Sequence, residues 1–483
     1  LFTFADRTTS GIGQQYLYHT LRTIPLTKGE IGKNEDVINH LKTDANFRGR
    51  LAKALFRLRD TEVYSIVRLM ADEHPVASGK TTIAFTILKF LPALFLLLYL
   101  FAHITACGML FLVAIILNAV IHYAFKPKSL DYIHSVPQLI KLLGIAEELC
   151  KYPELGKLTK EIPDALATLR PIRKTALFLG MESKLQSDMA VFVWFCTELA
   201  HIFFLTEPLS FLQSVSILRN KNREIETVYR FVGLADCLLS VYYLREELPY
   251  YCLPEKADNG YRLEGEEIYH PLIEDCVSNS VIIKEKSVLL NGSNMSGKTT
   301  FIRIIGINVL LAQTLHTAFA RTFALSAPIK IYSALMLADD LSEGKSFYMK
   351  EVDTIKEMIS RSQEGTANLF LFDEIFKGTN TTERIAVAKA VLSYLNTTDN
   401  IIVASTHDAE LATLLDTEYD LYHFSEVIQD ETFSFDYKLK SGPLYQRNAI
   451  RLLEINGFPP TVIRDAYRTI EKISYPPTST QPL

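Results

Sequence analysis

Residues 292–299 read Gly-Ser-Asn-Met-Ser-Gly-Lys-Thr, and they are the clearest indication of the fold of the second half of the chain. An apolar run at 287–290 precedes it, and apolar residues at helical spacing follow it. The glycines allow successive backbone N–H groups to turn toward one point, and the N-terminus of the following helix adds its positive dipole end. A strand, a glycine-rich loop and a helix in this order predict a phosphate-binding loop, or P-loop.

The side chains of this loop predict a nucleoside triphosphate and a divalent cation as ligands. Lys298 would neutralise the charge of the β- and γ-phosphates, and the Thr299 hydroxyl would bind Mg²⁺. We therefore expect this chain to bind ATP and Mg²⁺. The residues expected to bind ATP are Gly292, Ser293, Asn294, Met295, Ser296, Gly297, Lys298, Thr299 and Thr300.

A second apolar run, residues 369–372, ends in Asp373 and Glu374. Four apolar residues predict a buried central strand, and Asp373 at its end can hold Mg²⁺ through a water molecule. Glu374 is then placed to orient or deprotonate the attacking water. Because apolar runs with acidic ends also occur in ordinary strands, this assignment depends on the P-loop upstream.

A third apolar run, residues 401–404, ends in Ser405, Thr406 and His407. Polar side chains at the carboxyl end of a strand in a parallel sheet face the ligand crevice. His407 is therefore a candidate sensor of the γ-phosphate, which would make it a catalytic residue beside Glu374 and Lys298. The alternative is a structural histidine.

The pattern divides the chain into five segments. Residues 1–81 have helical spacing, residues 82–125 are almost uncharged, and residues 126–255 return to amphipathic helix. Residues 256–445 alternate strand-type and helical runs, and residues 446–483 hold a helical pair and a tail. This order predicts an α/β P-loop ATPase domain, with a mostly parallel sheet wound with helices, and an all-α core and lever domain.

Prolines are expected to break the helices of the third segment. They are Pro127, Pro137, Pro163 and Pro171.

The second segment predicts a transmembrane hairpin. Its first run, residues 83–102, carries one charge, and its second, residues 104–121, carries none. Each is about as long as the roughly 20 residues of a membrane helix. Lysines flank the pair, so both ends would face the cytoplasm, with the ATPase domain on that side. The alternative is a pair of buried core helices in a cytosolic protein, favoured by Pro92 and the short link.

Charge and cysteine content exclude some classes of site. The formal net charge of -5 gives no global basic field for nucleic acid. The basic clusters at 170–174 and 219–223 could contact phosphates or be solvated helix faces. Six cysteines are scattered without the spacing of a zinc site, which predicts free thiols in a reducing compartment.

Four motifs in one order resemble those of the MutS family of DNA mismatch-repair proteins. Residues 292–299 are similar to the family's GPNMGGKS loop, and residues 339–347 to its DDLxxGxSTF segment. Residues 373–380 resemble DEIGRGTS, and residues 405–408 resemble ATHY.

The resemblance extends outside the ATPase motifs. Residues 4–13 resemble the LDRTxTxxG opening of the family's core domain, and residues 269–272 the RHP segment that enters its ATPase domain. Residues 446–473 resemble its C-terminal helix-turn-helix dimerisation element. The apolar residues of that element are Ile450, Leu453, Ile455, Phe458 and Val462.

The resemblance implies a dimeric ATPase that couples its nucleotide state to the binding of mismatched or branched DNA in repair. Asn294 would contact the nucleotide phosphates, and Ser346 would reach the ATP of the partner subunit in a homodimer. No Phe-x-Glu mismatch-reading segment is seen, and the apolar hairpin stands where the family inserts a DNA clamp. A membrane-associated ATPase switch or scaffold that does not bind DNA is therefore the alternative function.

Overall fold

A computed structural model gives the structure of the protein, and it divides the chain into two units. The helical unit comprises most of residues 1–247, and the α/β unit comprises residues 248–483. The described residues are 1–23, 28–71, 79–175, 188–257, 262–293, 296–326, 328–335, 347–365, 367–376, 379–429, 432–444 and 449–474.

In its described residues, the helical unit is built from α-helices and one 3₁₀ turn, Thr61–Ser65. The first helices are α1 (Phe2–Ala5), α2 (Gly11–Thr20), α3 (Lys28–Thr43), α4 (Ala45–Phe56), α5 (Ile66–Ala71), α6 (Gly79–Leu88) and α7 (Leu91–Ala102). They are followed by α8 (Thr105–Leu149), α9 (Pro153–Gly156), α10 (Ile162–Leu169), α11 (Ile172–Thr175), α12 (Asp188–Phe204), α13 (Thr206–Leu218) and α14 (Asn222–Glu247).

The buried carboxylate of Asp236 on α14 binds the residues that directly precede α2. Asp236 accepts hydrogen bonds from the backbone N–H of Thr9 at 2.9 Å and from the hydroxyl of Ser10. Ser10 in turn caps α2 through its side chain, which accepts from Gly13 N at 3.0 Å. A Cβ at Gly13 would stand 2.1 Å from Asp236 Oδ2, so glycine is required for this approach.

The apolar segment forms the helices α6, α7 and the first half of α8, and α7 packs against α8. Two stretches, Gly79–Ala102 and Thr105–Pro127, are long and apolar enough to cross a membrane. Within an apolar stretch of 18 residues in each, only 11% and 22% are buried within the chain, so the structure does not place them in a protein core. The large apolar side chains that they expose include Ile83, Leu97, Phe101, Met109, Leu112 and Ile116.

The expected breaks at two prolines are wrong. Helix α8 continues through Pro127 and Pro137 to Leu149. A proline inside a helix removes one backbone hydrogen bond, and packing can offset that loss. Here the helix packs against α13, α14 and the 3₁₀ turn, which hold it on both sides of Pro127. Pro163, by contrast, lies in the first turn of α10, where a missing N–H costs little.

Among the residues described for the α/β unit there are two main sheets and a hairpin. Its strands are β1 (Glu255–Lys256), β2 (Leu263–Ile268), β3 (Asn279–Ile283), β4 (Ser287–Asn291), β5 (Thr322–Leu325), β6 (Lys330–Ala334), β7 (Asn368–Asp373), β8 (Ile401–Thr406), β9 (Tyr419–His423), β10 (Glu426–Gln429), β11 (Thr432–Phe435) and β12 (Lys440–Ser441). Its helices are α15 (Lys298–Thr314), α16 (Phe347–Ser362), α17 (Thr381–Leu395), α18 (Ala409–Leu414), α19 (Ala449–Ile455) and α20 (Pro460–Ser474).

The larger sheet has the order β12-β9-β4-β8-β7-β6, and its strands are parallel except β12. Its central strands send alternate residues into two hydrophobic cores. Leu369 and Leu371 enter one core, while Phe370 and Phe372 enter the other. A sheet buried on both faces confirms the α/β class that the apolar runs predicted. A smaller sheet, β1-β5-β2-β3, lies in the same unit.

Candidate nucleotide site

The P-loop begins where β4 ends, in the middle of the larger sheet. Gly292 and Gly297 have φ angles of 144° and 105°, which side chains other than glycine rarely adopt. A Cβ at Gly292 would lie 2.7 Å from the Phe424 carbonyl oxygen, so the loop could not approach β9 with a larger residue. The Ser296 hydroxyl donates to the Ser293 carbonyl at 2.8 Å and closes the turn.

Lys298 opens α15 and turns its buried ammonium group back over the loop. Nζ donates to the carbonyl oxygens of Gly292 at 2.6 Å and Ser293 at 2.7 Å. A cation held against a glycine-rich turn, at the positive end of a helix, creates a strong local attraction for an anion.

Thr299, in the first turn of α15, forms a connected group with Asp373 and Ser405, which lie at the carboxyl ends of the neighbouring strands β7 and β8. The Thr299 hydroxyl donates to Asp373 Oδ2 at 3.0 Å, and the Ser405 hydroxyl donates to Asp373 Oδ1 at 2.7 Å. Parallel pairing of β7 with β8 places Asp373 opposite Ser405. A hydroxyl and a carboxylate are oxygen ligands that Mg²⁺ prefers. The structure thus brings together both residues predicted to bind Mg²⁺, and Ser405 orients the carboxylate.

Glu374 follows directly in a conformation unusual for a residue with a side chain, with φ at 57°. Its N–H donates to the Ser405 carbonyl at 3.2 Å. The N–H of Phe376, two residues after Glu374, donates at 2.6 Å to Oε1 of Glu351, a buried residue of α16. The turn after β7 is therefore fixed from two sides, which sets the direction of the Glu374 carboxylate.

His407 lies beside Glu374, with Nδ1 3.5 Å from Oε2. Arg384, which the sequence analysis missed, lies behind the histidine together with Asp408 of the 405–408 motif. Arg384 of α17 donates to both carboxylate oxygens of Asp408, at 2.8 and 3.1 Å, and its Nη2 lies 3.5 Å from His407 Nε2. The Asp408 hydrogen bonds raise the pKa of Arg384, so its positive charge is firmly held near Glu374.

A cavity of about 430 Å³ opens beside the N-terminus of α15. Thr300 lines it together with Lys298 and Thr299. Tyr437 closes the cavity from the strand side, and its ring carbon Cδ1 would be 3.3 Å from a Cβ at Gly297. Its other lining residues are Ile273, Glu274, Asp275, Cys276, Val277, Asn279, Gly297, Phe301, Ile304 and Phe424.

Asn279 fixes the backbone around Tyr437. Its Nδ2 donates to the Tyr437 carbonyl at 3.0 Å, and its Oδ1 accepts from Leu439 N at 2.7 Å. An aromatic ring and apolar walls beside a phosphate-binding loop suit a planar nucleobase. No motif in the sequence pointed to Tyr437, because it lies far along the chain from the P-loop.

Some predicted site residues lie outside the described part of the chain. These are Asn294 and Met295 of the P-loop, and Ser346.

Residues 288–474 match the model of the MutS domain V family. Similar curated proteins include the DNA mismatch repair protein MutS of Listeria welshimeri, 26% identical over 55% of this chain and 32% of that protein. The protein of the same name from Synechococcus sp. strain RCC307 is 29% identical over 46% of this chain and 27% of its own length. The protein of the same name from Roseiflexus sp. strain RS-1 is 27% identical over 53% of this chain and 24% of its own length. The chain thus spans less than a third of the length of these relatives in the matched region.

Proposed function

We propose that the chain, whose residues 288–474 match MutS domain V, is a MutS-family protein and a Mg²⁺-dependent ATP hydrolase. The observation that carries the proposal is the group formed by Thr299, Asp373 and Glu374. The Thr299 hydroxyl lies 3.0 Å from the Asp373 carboxylate, both are ligand types that Mg²⁺ prefers, and Glu374 follows Asp373 directly in the chain. This set is what phosphoryl transfer to water requires.

Each residue has a distinct part in the proposed reaction. Lys298 neutralises phosphate charge, and Glu374 accepts the proton of the attacking water. Thr299 and Asp373 would hold Mg²⁺, which supplies charge neutralisation between the β- and γ-phosphates. His407, held between Glu374 and the Arg384–Asp408 pair, reports whether the γ-phosphate is in place. Tyr437 packs against the base.

Nucleotide binding by the Lys298→Ala variant tests this proposal. The variant should lose measurable affinity for a fluorescent ATP analogue, because the loop amides alone do not balance the triphosphate charge. Lys389→Ala is the matched control, since Lys389 lies on α17 and pairs with Glu418 at the surface. Wild-type protein without affinity for ATP or ADP would refute the proposal.

We also propose that the protein couples its ATP state to the binding of mismatched or branched DNA. Its support is the family and the names of the relatives. Basic residues of the two clusters are engaged with acidic neighbours: Arg173 with Glu147 at 3.0 Å, and Lys221 with Glu224 at 3.2 Å. DNA affinity measured against salt tests the coupling, since released counterions give a steep dependence. A flat dependence, or no binding, would favour the alternative.

The alternative is an ATPase switch attached to a membrane that does not bind DNA. Its support is the apolar surface exposed by α6, α7 and the first half of α8. Soluble proteins rarely expose apolar patches of this extent without a partner. In this proposal the hairpin crosses the bilayer and the ATPase domain lies in the cytoplasm. Sedimentation of the expressed protein with membranes, resistant to carbonate washing, would support it. Full solubility without detergent would contradict it and leave the protein cytosolic.

A further inference from the structure

Helices α12 and α13 form a bent pair that packs on the apolar helices. Both contact α8, and α13 also contacts α6. The axes of Phe195–Phe204 and Thr206–Leu218 differ by 65°, and Leu205 between them has a φ angle of 49°. Taken together, the two stretches are apolar enough for a membrane segment. With 17 residues in α12 and 13 in α13, each helix is shorter than the roughly 20 residues of a straight membrane helix.

Contacts with α8 show that α12 runs antiparallel to it. Asn118 of α8 donates at 3.0 Å to the Phe203 carbonyl, close to the end of α12. Lys126, further along α8, donates at 2.8 Å to Glu198, which lies earlier in α12. Between these contacts, residue numbers rise along α8 and fall along α12. The end of α12 therefore points toward the middle of the apolar stretch of α8.

Helix α13 returns along α8 in the opposite direction. Near its start, Glu207 Oε2 lies 3.5 Å from His122 Nδ1. Further along α13, the ring of Phe211 contacts the ring of Tyr132, with centroids 5.1 Å apart. Residue numbers now rise along both helices, so α13 leads back out of the apolar stretch. The break at Leu205 is therefore the part of the pair that reaches furthest into it.

The break lies level with the middle of the candidate span Thr105–Pro127. At a rise of about 1.5 Å per residue, Asn118 is about 14 Å from Pro127 along α8, which is close to half of the roughly 30 Å hydrocarbon core of a bilayer. A hairpin that spans a bilayer therefore carries the break to about the middle of that core.

The polarity of α12 is reversed from that of a helix in a soluble protein. Its Glu198 side chain is only 8% exposed and faces α8, whereas Phe195, Leu199 and Phe204 are 53%, 50% and 45% exposed. A surface helix in water turns its apolar side chains inward. In a membrane, ionisable side chains face the interior of the bundle, and apolar side chains face lipid. Val120 of α8, within the candidate span, is likewise apolar and 60% exposed, so one lipid environment would cover both helices.

The backbone at the break is shielded by the chain itself. Leu205 is completely buried, and the Phe203 carbonyl just before it accepts the hydrogen bond from Asn118. The Thr206 hydroxyl lies 2.5 Å from His201 Nδ1, which links the two arms of the pair. Irregular backbone at membrane depth is tolerated where protein covers it and satisfies its polar groups. The break meets this requirement.

We propose that the pair α12–α13 is a re-entrant membrane element, which enters and leaves the bilayer on the same side. It enters from the cytoplasmic side, turns at Leu205 near the middle of the hydrocarbon core, and returns along α8. Phe195, Leu199 and Phe204 contact lipid acyl chains. This inference rests on the proposed membrane hairpin, because α8 carries the pair to its depth.

Tryptophan fluorescence of the full chain in phosphatidylcholine vesicles tests the depth of the pair. Trp194 is the only tryptophan of the sequence, so its replacement by phenylalanine gives a background in which one introduced indole is observed. In this background, Phe204→Trp should lose at least about half of its fluorescence to lipid brominated near the bilayer middle, because acyl chains surround the indole. Phe195→Trp should lose less to that lipid and more to lipid brominated nearer the headgroups. Leu414→Trp, exposed on α18, should lose none.

Ile116→Trp in the same background separates this proposal from that of the hairpin. Quenching of Ile116→Trp without quenching of Phe204→Trp and Phe195→Trp would overturn the re-entrant element and leave the hairpin in place. Absence of quenching at all three positions would contradict the hairpin itself, and this inference with it.

Iodide, which does not cross a lipid bilayer, distinguishes re-entry from a complete crossing. The side chain of Arg223, in the first turn of α14 after the pair, is 84% exposed. In sealed vesicles that hold the protein in one orientation, iodide should quench Arg223→Trp and Leu414→Trp from the same side. Quenching of the two from opposite sides would show that the pair crosses the bilayer and would refute re-entry.

Discussion

Glu374, the residue that we propose as the base, has an unusual backbone conformation. The hydrogen bonds from its own N–H and from that of Phe376 hold the backbone of the turn in which it lies. A strained backbone conformation that its surroundings enforce is common at functional sites. His407 lies 3.5 Å from its carboxylate, and the Arg384–Asp408 ion pair lies behind the histidine.

Glu374→Gln should therefore separate ATP binding from ATP hydrolysis. The amide keeps the size of the side chain but does not accept the proton of water, so turnover should fall by about 10²–10⁴-fold. Affinity for ATP should stay within about threefold, because Lys298 and the loop amides are intact. Phosphate release and retention of labelled ATP measure the two effects. Glu410→Gln on α18 is the surface control, and wild-type turnover in Glu374→Gln would remove the residue from its role.

The buried carboxylate of Asp236 predicts that the stability of the protein depends on pH. Burial raises the pKa of Asp236 to about 6, against the hydrogen bonds from Ser10 and Thr9 that lower it. Because the folded state then binds the proton more tightly than the unfolded state, this group's contribution to the free energy of unfolding is greatest below about pH 4. It is lost as pH rises through about 6, and amounts to about 3 kcal/mol.

Asp236→Asn should remove this contribution and flatten the dependence of stability on pH between about pH 4 and 7. Urea unfolding of the full chain at several pH values measures it. The same pH dependence in wild-type and variant proteins would show that Asp236 does not titrate in this range.

The sequence predicted the residues whose roles follow from local order, and missed those that meet only through the fold. Lys298, Thr299 and Asp373 could be found because a strand, a loop and a helix place them by short-range rules. Tyr437 and Arg384 could not, since the strand order that brings them to the site is not visible in any local pattern. His407 was predicted from its place after a strand, and the structure adds its neighbours.

The helices of the apolar hairpin expose many large apolar side chains. Ile116 of α8 is 63% exposed, and its neighbours on that face are also apolar. The sequence predicted two apolar helices here, since their length and lack of charge are local properties. Continuation of α8 through Pro137 was not predicted, because packing in the helical unit offsets the lost hydrogen bond.

Ile116→Arg should distinguish a bilayer from water as the surroundings of this face. In water, an exposed substitution changes stability by no more than about 0.5 kcal/mol. At the centre of a membrane helix, an arginine costs about 2.5–3.5 kcal/mol on insertion scales. Membrane-bound protein should therefore decrease in Ile116→Arg but not in Leu414→Arg, an exposed position on α18. Equal membrane fractions for both variants and the wild type would contradict the hairpin.

The C-terminal helices α19 and α20 and the turn between them expose apolar side chains. Phe458 and Val462 are each 47% exposed, and Tyr467 and Ile470 of α20 are also exposed. The sequence left open whether the apolar residues Ile450, Leu453, Ile455, Phe458 and Val462 pack on the chain's own ATPase domain, and the first three of these are half-buried. The exposed side chains are not covered in the described part of the chain, so a second copy of the chain is the partner that we propose for them.

A mixing experiment tests whether this dimer also shares its ATP sites. The resemblance to the family implies that Ser346 of one subunit completes the site that contains Lys298 of the other. Ser346→Ala and Lys298→Ala proteins should each be inactive alone. In their heterodimer, one site combines Lys298 from the first protein with Ser346 from the second, so up to about half of the wild-type turnover per dimer should return. An inactive mixture, although heterodimers form by affinity pull-down of differently tagged subunits, would show that Ser346 does not act across the dimer.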